Sequence, residues 1–319
     1  MKRSKNVKTA AAALLAALML ASCGSSGSSG TSEGSTSSAA ETAAASAAES
    51  AAESTAESTA DSAAESVAES VPDSGAADSS ANAEDSTPEA PSYKSIKLMT
   101  LGDSITDGFW LEGGYRVFLC NKLEENGLSQ YVDFVGSKHS GDCYDNDHEG
   151  YTAYAIEGFR ERGVGSRSGI AKEAPDKIEE FQPDVLTLMI GTNDILSLYK
   201  LDEAGSRLEA LVDACLEKMP EGGKLYLASL PDMDAGDNTY IDEKKFTVEF
   251  MDTCVAEYNE KVKALAEKKQ GEGRNVEFCD VHAVLTKEDL YDGVHPSEEG
   301  YKKLADYWYG VITEYITEG

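Results

Sequence analysis

Basic residues are scarce in this sequence. It has 28 lysine and arginine residues against 58 aspartate and glutamate residues, which gives a formal net charge of -30 at pH 7. Lysine and arginine are absent from Gly24 to Ser92, and from Tyr93 onward 24 basic residues stand against 45 acidic ones. Because phosphate contacts need clustered Lys and Arg, this balance argues against a nucleic-acid partner. It favours a neutral or cationic ligand.

Cysteine pairs of the metal-binding type are also missing. The six cysteines include no Cys-x-x-Cys motif, and we predict no bound metal. The acidic run from Asp142 to Glu149 matches no full calcium-loop pattern, which favours a solvated loop over a calcium site. Five cysteines follow Cys23, so they cannot all pair within one chain. Four of the five lie in apolar patterns typical of core residues: Cys120, Cys215, Cys254 and Cys279.

The amino terminus has the composition of a targeting segment. Four basic residues precede the apolar run Ala10–Ala21, which is too short to span a bilayer comfortably. The run ends in Leu20-Ala21-Ser22-Cys23, which resembles a bacterial lipobox and implies a lipid on Cys23. Residues 1–23 are therefore predicted to be a lipoprotein signal peptide with a lipobox ending at Cys23. The lipid on Cys23 is expected to anchor the mature protein at the extracellular face of the bacterial cell membrane. An ordinary cleaved signal peptide and a signal anchor are the alternatives.

The segment from Gly24 to Ser92 has almost no large apolar residue. It repeats a four-residue unit, Ala-Ala-Glu-Ser, from Ala47 and again from Ala51, with degenerate copies as far as Ser74. Acids spaced four apart would stack on one helix face and repel each other. Nothing in the segment buries enough apolar area to offset the entropy of ordering. Residues 24–92 are therefore predicted to be a disordered tether.

Residues 93–319 are predicted to form one domain, in which strands alternate with helices. The predicted strands are Ile96–Leu101, Tyr131–Gly136, Asp184–Ile190, Lys224–Leu230 and Val276–Asp280. The predicted helices are Gly114–Asn126, Asp202–Met219, Lys244–Lys269 and Ser297–Ile316. The alternation indicates a parallel sheet with right-handed crossovers and helices on both faces. The expected fold is a three-layer α/β/α, flavodoxin-like arrangement with a five-stranded parallel sheet in the order 2-1-3-4-5.

Three polar stretches follow the carboxyl ends of predicted strands. They are Gly102-Asp103-Ser104, Gly191-Thr192-Asn193-Asp194 and Asp292-Gly293-Val294-His295-Pro296. In open α/β sheets this edge is where ligands bind, so the topology should bring all three stretches together.

Each stretch has a plain structural interpretation as well as a catalytic one. Ser104 could simply lie beside a helix N-cap, and Asn193 could be a turn residue that tolerates a left-handed conformation. The spacing of Asp292 and His295 lets the carboxylate orient one imidazole nitrogen and leaves the other free to face Ser104. The occurrence of all three together favours a nucleophile, a base and an oxyanion donor.

These blocks resemble the SGNH (GDSL-type) hydrolase family across essentially all of residues 93–319. The resemblance implies Ser104 as nucleophile, His295 as base and Asp292 as its orienting residue. It implies an oxyanion hole made by Ser104, Asn193 and a backbone amide that the family usually takes from glycine. Ala153 occupies the aligned position, and Gly150 is the alternative donor. The mechanism of the family requires no cofactor.

A narrower resemblance points to carbohydrate esterase family 3, which includes acetylxylan esterases. It rests on Gly113-Gly114-Tyr115-Arg116, Asp133-Phe134-Val135-Gly136-Ser137 and His148-Glu149-Gly150. The resemblance implies removal of O-acetyl groups from plant polysaccharide, with acetylated xylan as the expected substrate. We also expect a monomer. Peptidoglycan O-acetyl esters and lysophospholipids are alternative substrates, and a catalytically idle carbohydrate-binding protein is the alternative outside enzymes.

Two aromatic residues are candidate substrate contacts. Trp110 follows the nucleophile loop and could stack on a sugar ring, with packing over the first helix as the alternative. Tyr151 is placed similarly.

Metabolic labelling with a fatty-acid probe tests the lipobox prediction. The wild-type chain should become labelled, and Cys23→Ala should not, because the thiol that would carry the lipid is missing. Equal labelling of the two forms would refute lipidation at Cys23.

Overall fold

A computed structural model describes residues 91–236, residue 241 and residues 245–318. The predicted signal peptide, Cys23 and nearly all of the predicted tether lie outside the described residues, so those assignments stay predictions. Within the described ranges, no helix combines the length and the apolar character that a membrane crossing needs.

The described chain contains strands and helices in alternation. The strands are β1 (Ser92–Tyr93), β2 (Ile96–Gly102), β3 (Val132–Phe134), β4 (Lys138–His139), β5 (Asp147–Gly150), β6 (Phe159–Glu161), β7 (Gly165–Arg167), β8 (Val185–Met189), β9 (Lys224–Ala228), β10 (Val276–Cys279) and β11 (Thr317–Glu318). The α-helices are α1 (Ser104–Asp107), α2 (Gly114–Glu125), α3 (Ala174–Phe181), α4 (Thr192–Ser197), α5 (Ala204–Lys218), α6 (Val248–Gly271) and α7 (Glu298–Ile316).

The central sheet confirms the predicted topology. Its parallel strands lie in the order β3-β2-β8-β9-β10, which is 2-1-3-4-5 when these five strands are numbered along the chain. Every residue of β8 is buried. A strand with neighbours on both edges and cover on both faces can be apolar throughout, which is why this run is recognisable from sequence.

The sheet also has two short strands that the sequence analysis missed. β5 pairs in parallel with the end of β2, matching Leu101 with Glu149 and Gly102 with Gly150, while β3 pairs only with the start of β2. β4 then pairs antiparallel with β5. The residues of β5 are Asp-His-Glu-Gly, so neither apolar alternation nor an apolar run reveals the strand.

The acidic run around β5 is not the solvated loop that its composition suggests. Glu149 is fully buried and accepts hydrogen bonds from the Ser137 amide and the Tyr151 hydroxyl. Asp145 accepts the Phe134 amide at 2.8 Å. These carboxylates tie the segment around β5 to the end of β3 and to the residues before β4. Among the described residues, no group of three or more His, Cys, Asp or Glu side chains is placed to bind a metal ion.

The helices flank the sheet, and polar side chains cap the starts of α6 and α7. α2 packs against α7, and α5 packs against α3 and α6. The predicted helix Lys244–Lys269 begins later, at Val248, because the Thr247 side chain accepts the Phe250 amide and caps that end. Ser297 caps α7 in the same way by accepting the Gly300 amide, two residues after His295.

Candidate active site

Ser104 is the first residue of the one-turn helix α1, directly after β2. The sequence analysis expected the next helix at Gly114, but Asp103 starts α1 by accepting the Ile105 amide at 3.1 Å. Gly102 makes the turn possible, because a Cβ there would lie 2.4 Å from the Thr106 hydroxyl oxygen and 2.5 Å from the Met189 carbonyl oxygen. The first amides of a helix have no hydrogen-bond partner within the helix. The Ser104 N–H is one of them, and it can donate to a group bound next to the Ser104 hydroxyl.

Ser104, His295 and Asp292 form a continuous chain of hydrogen bonds. His295 Nε2 lies 2.9 Å from Ser104 Oγ, and His295 Nδ1 lies 2.8 Å from Asp292 Oδ2. All three residues are buried. Asp292 Oδ1 also accepts the backbone amides of Val294 and His295, at 3.0 and 2.8 Å. Burial alone would raise the pKa of Asp292, but hydrogen bonds from His295 and Val294 hold it below its ordinary value.

The loop that carries Asp292 and His295 is closed on itself. The Tyr291 amide donates to the His295 carbonyl at 2.7 Å, and the Ser297 amide donates to the Asp289 carbonyl at 2.7 Å. Gly293 adopts a φ of 83°, a conformation that favours glycine and turns the backbone inside this loop. Asp292 is therefore held beside the imidazole by backbone geometry.

Asn193 follows the carboxyl end of β8. It lies in the first turn of α4, after Gly191, whose φ is 128°. A Cβ at Gly191 would lie 2.3 Å from the ring of Tyr258, and the Tyr258 hydroxyl donates to the Ile190 carbonyl at 2.6 Å. Asn193 Nδ2 donates one N–H to the Tyr154 carbonyl at 2.9 Å. A side-chain amide carries two N–H groups, so the second is a potential donor.

Ala153 has the backbone conformation of a glycine. Its φ is 66°, in a tight turn in which the Tyr154 amide donates to the Tyr151 carbonyl at 3.2 Å. Three contacts hold this turn: Tyr151 N–H to Gly102 O at 2.9 Å, Thr152 hydroxyl to Asp107, and Asn193 Nδ2 to Tyr154 O. An alanine in the left-handed region costs roughly 1–2 kcal/mol, which these contacts must offset. The alternative donor, Gly150, already donates its N–H to His148 Nδ1 at 3.0 Å.

A sequence profile described as GDSL-like Lipase/Acylhydrolase matches residues 98–308, from β2 into α7. The chain belongs to this family. The predicted resemblance to SGNH (GDSL-type) hydrolases is thereby confirmed.

Known proteins similar to this chain include esterases. A multidomain esterase of Ruminococcus flavefaciens is 36% identical over 249 residues, which is 72% of this chain and 30% of that protein. The chain therefore spans less than a third of the length of this curated relative. The structure of a Clostridium thermocellum family 3 carbohydrate esterase matches with a TM-score of 0.54 and 28% identity, covering 70% of this chain and 100% of that one.

A Talaromyces cellulolyticus family 3 carbohydrate esterase has the same fold. It matches with a TM-score of 0.54 and 22% identity over 69% of this chain and 98% of that one.

The two aromatic residues predicted to contact substrate are both engaged within the GDSL domain. Trp110 donates its indole N–H to the Pro296 carbonyl at 2.7 Å, and its ring stacks on Tyr291 with centroids 4.1 Å apart. Tyr151 donates its hydroxyl to Glu149 and packs against Tyr154, with ring centroids 4.9 Å apart.

Two exposed aromatic residues beside the histidine were missed by the sequence analysis. Tyr291 is 62% exposed, and Phe109 is 44% exposed with its ring centroid 4.9 Å from that of His295. Their positions next to Asp292 and after the Ser104 turn are the one sequence signal that could have identified them.

Asp103 adds a second buried carboxylate beside the nucleophile. Its burial is complete, and the resulting loss of hydration raises its pKa to about 6, an effect only partly offset by the Ile105 amide. Asp194, one residue after Asn193, is also buried, and burial raises its pKa although Arg207 and the Ile156 amide donate to it at 2.9 and 3.0 Å.

The raised pKa of Asp103 predicts a pH-dependent gain in stability for Asp103→Asn. The folded chain holds this proton more tightly than the unfolded chain, so ionisation of Asp103 lowers the free energy of unfolding as pH rises from about 4 to about 6. The variant lacks this loss. Its free energy of unfolding relative to wild type should therefore increase by about 2 kcal/mol between pH 4 and pH 7.

Urea unfolding across this pH range measures the difference. Asp133→Asn, on the exposed side of β3, is the control for loss of a surface carboxylate. A difference between Asp103→Asn and wild type that stays constant with pH would contradict the prediction.

Proposed function

We propose that the GDSL domain is a serine esterase that removes O-acetyl groups from carbohydrate. The observation that carries the proposal is the hydrogen-bonded chain from Ser104 Oγ through His295 to Asp292. In this arrangement a hydroxyl, a base and an orienting carboxylate have the relative positions that ester hydrolysis through an acyl-enzyme needs. The chain also belongs to the GDSL-like lipase and acylhydrolase family, whose description fits ester hydrolysis.

The first half of the reaction acylates Ser104. Ser104 Oγ attacks the ester carbonyl while His295 Nε2 takes the hydroxyl proton. The imidazolium then has its Nδ1–H directed at Asp292, whose lowered pKa keeps it ionised and able to stabilise the positive charge. His295 returns the proton to the sugar oxygen as the C–O bond breaks, and the free alcohol leaves.

The second half releases acetate. A water molecule loses a proton to His295 and attacks the acetyl-serine carbonyl, and the proton returns to Ser104 Oγ as the acyl bond breaks. In both halves, the negative charge that develops on the carbonyl oxygen is stabilised by the amides of Ser104 and Ala153 and by the second N–H of Asn193. The contacts from Gly102, Asp107 and Asn193 to the turn at 151–154 keep these donors in place before substrate binds.

The carbohydrate assignment rests on similarity and on the exposed rings around the histidine. A family 3 carbohydrate esterase matches over its whole length, and a multidomain esterase matches by sequence. Tyr291 presents one ring face to solvent while Trp110 covers the other, so the sugar-stacking position belongs to Tyr291 rather than to Trp110. A neutral polysaccharide also suits a protein of such high negative charge.

Substitution of the nucleophile and of the oxyanion donor tests the mechanism. Ser104→Ala should lower kcat for p-nitrophenyl acetate by at least about 10³-fold, because the attacking oxygen is lost. Asn193→Ala should cost about 2.7–4 kcal/mol of transition-state stabilisation, or about 100- to 1,000-fold in kcat. Asn126→Ala removes an exposed amide at the end of α2 and should leave kcat unchanged. A folded Ser104→Ala protein with near-native kcat would refute the assignment of the triad. A loss of less than about tenfold in kcat for Asn193→Ala would refute its role as an oxyanion donor and leave it as a turn residue.

Acyl length and alcohol identity test the substrate. Esters should be cleaved in the order acetyl, butyryl, octanoyl, because a pocket sized for one methyl group excludes longer chains. Acetate release should be compared between acetylated xylan and O-acetylated peptidoglycan, with xylan giving the higher kcat/KM. A preference for peptidoglycan or for octanoyl esters would overturn the xylan assignment and leave the esterase assignment standing.

A further inference from the structure

Two of the described cysteines lie side by side, away from the proposed catalytic residues. Cys120 belongs to α2, and Cys143 lies in the loop between β4 and β5. Their sulfur atoms both contact the same oxygen, the Asp145 carbonyl, at 3.4 Å for Cys120 and 3.2 Å for Cys143. The five described cysteines are all free thiols, and the other three lie on α5, α6 and β10: Cys215, Cys254 and Cys279.

The backbone brings this loop unusually close to α2. A Cβ at Gly113, which precedes the helix, would lie 3.0 Å from the Cα of Gly141, and a Cβ at Gly141 would lie 2.4 Å from the Val117 side chain. Both glycines have positive φ, 81° and 98°. The close approach of these two segments is what places Cys143 against Cys120.

The two thiols are chemically unequal. Cys143 is partly exposed, and the hydrogen bond from Cys120, with help from the Asp145 amide and the nearby charge of Arg116, lowers its pKa to about 7. Cys120 is buried, and its hydrogen bond to Cys143 and its burial raise its pKa. An accessible thiol rich in thiolate beside a shielded thiol is the combination that thiol–disulfide exchange uses.

Arg116 connects α2 and the β4–β5 loop to the turn that carries Ser104. Arg116 lies on α2 and donates Nε to the Thr106 carbonyl at 2.8 Å and Nη2 to the Asp107 carbonyl at 3.2 Å. The same guanidinium donates to the hydroxyl of Ser140 in the loop, at 2.8 Å. A disulfide between Cys120 and Cys143 would link α2 covalently to this loop. These are the two segments that Arg116 joins at the end of α1.

We propose that Cys120 and Cys143 form a dithiol site that reacts with a disulfide oxidant and closes to an intramolecular disulfide. The proposal does not depend on the esterase assignment, because it rests on side chains outside the triad and the oxyanion donors.

The exchange balances in two steps. The Cys143 thiolate attacks one sulfur of the oxidant, its S–S bond breaks, and one thiolate leaves while a mixed disulfide forms. Cys120 then loses its proton and attacks the Cys143 sulfur, which breaks the mixed disulfide and releases the second thiolate. The protons of both cysteines end on the two released thiolates. Two protein thiols are oxidised, and one disulfide is reduced to two thiols.

Oxidation should stabilise the fold measurably. A bond from Cys120 to Cys143 closes a loop in the unfolded chain and reduces its entropy, so the oxidised protein should unfold at a Tm higher by about 5–10 °C. The full chain carrying Cys23→Ala, which removes the one cysteine outside the described residues, is treated with oxidised glutathione after purification under reductant. Two thiols should be lost in denaturing Ellman titration, peptide mapping should give a Cys120–Cys143 cross-link, and dithiothreitol should reverse the Tm rise.

Matched cysteine variants make the test specific. Cys143→Ser replaces a partly exposed thiol and should fold, keep its esterase rate and show no Tm rise with oxidised glutathione. Cys254→Ser, on α6, should behave like the parent chain. The proposal is overturned if the parent keeps all its thiols after treatment or if the cross-link maps to another pair. A Tm rise that persists in Cys143→Ser would also overturn it.

Discussion

The candidate site depends on the close approach of three backbones at Gly102. There β2 pairs with Met189 of β8 on one edge and with Gly150 of β5 on the other. A side chain at Gly102 would meet the Met189 carbonyl oxygen, and a side chain at Gly150 would meet the backbone of α1, in each case at 2.5 Å. Each strand leads directly into one part of the site, to Ser104, Asn193 or Ala153. Strand pairing at this level therefore sets the distances between the three proposed oxyanion donors.

Electrostatics divides the buried carboxylates of this edge into two kinds. Hydrogen bonds from the His295 ring and two backbone amides hold the pKa of Asp292 below its ordinary value. Burial dominates at the other two carboxylates. It raises the pKa of Asp194 despite hydrogen bonds from Arg207 and the Ile156 amide, and it raises the pKa of Asp103 to about 6. A buried carboxylate with a raised pKa lowers the free energy of unfolding when it ionises near neutral pH. Destabilising features of this kind are common next to reacting groups.

Much of the site could be predicted because its residues lie in local motifs. Ser104, Asn193, Asp292 and His295 each belong to a stretch of three to five residues whose form follows from a strand end, a glycine and a helix start. Contacts that depend on distant parts of the chain were not visible in the same way. Trp110 finds its partners at Pro296 and Tyr291, nearly two hundred residues away, so its stacking face was assigned to substrate when Tyr291 covers it.

The sequence by itself determined the five parallel strands, their order, the four long helices and the identity of the family, because apolar runs and short motifs are local and repeat with a regular period. Only the tertiary structure decided where the polar segment Asp147–Gly150 lies, since its pairing with β2 depends on backbone hydrogen bonds and buried carboxylates rather than on apolar pattern. That pairing, together with contacts from Asp107 and Asn193, also gives Ala153 its positive φ, which no propensity of alanine would suggest. The contact between Cys120 and Cys143 has the same origin, because it exists only once the loop is packed against α2.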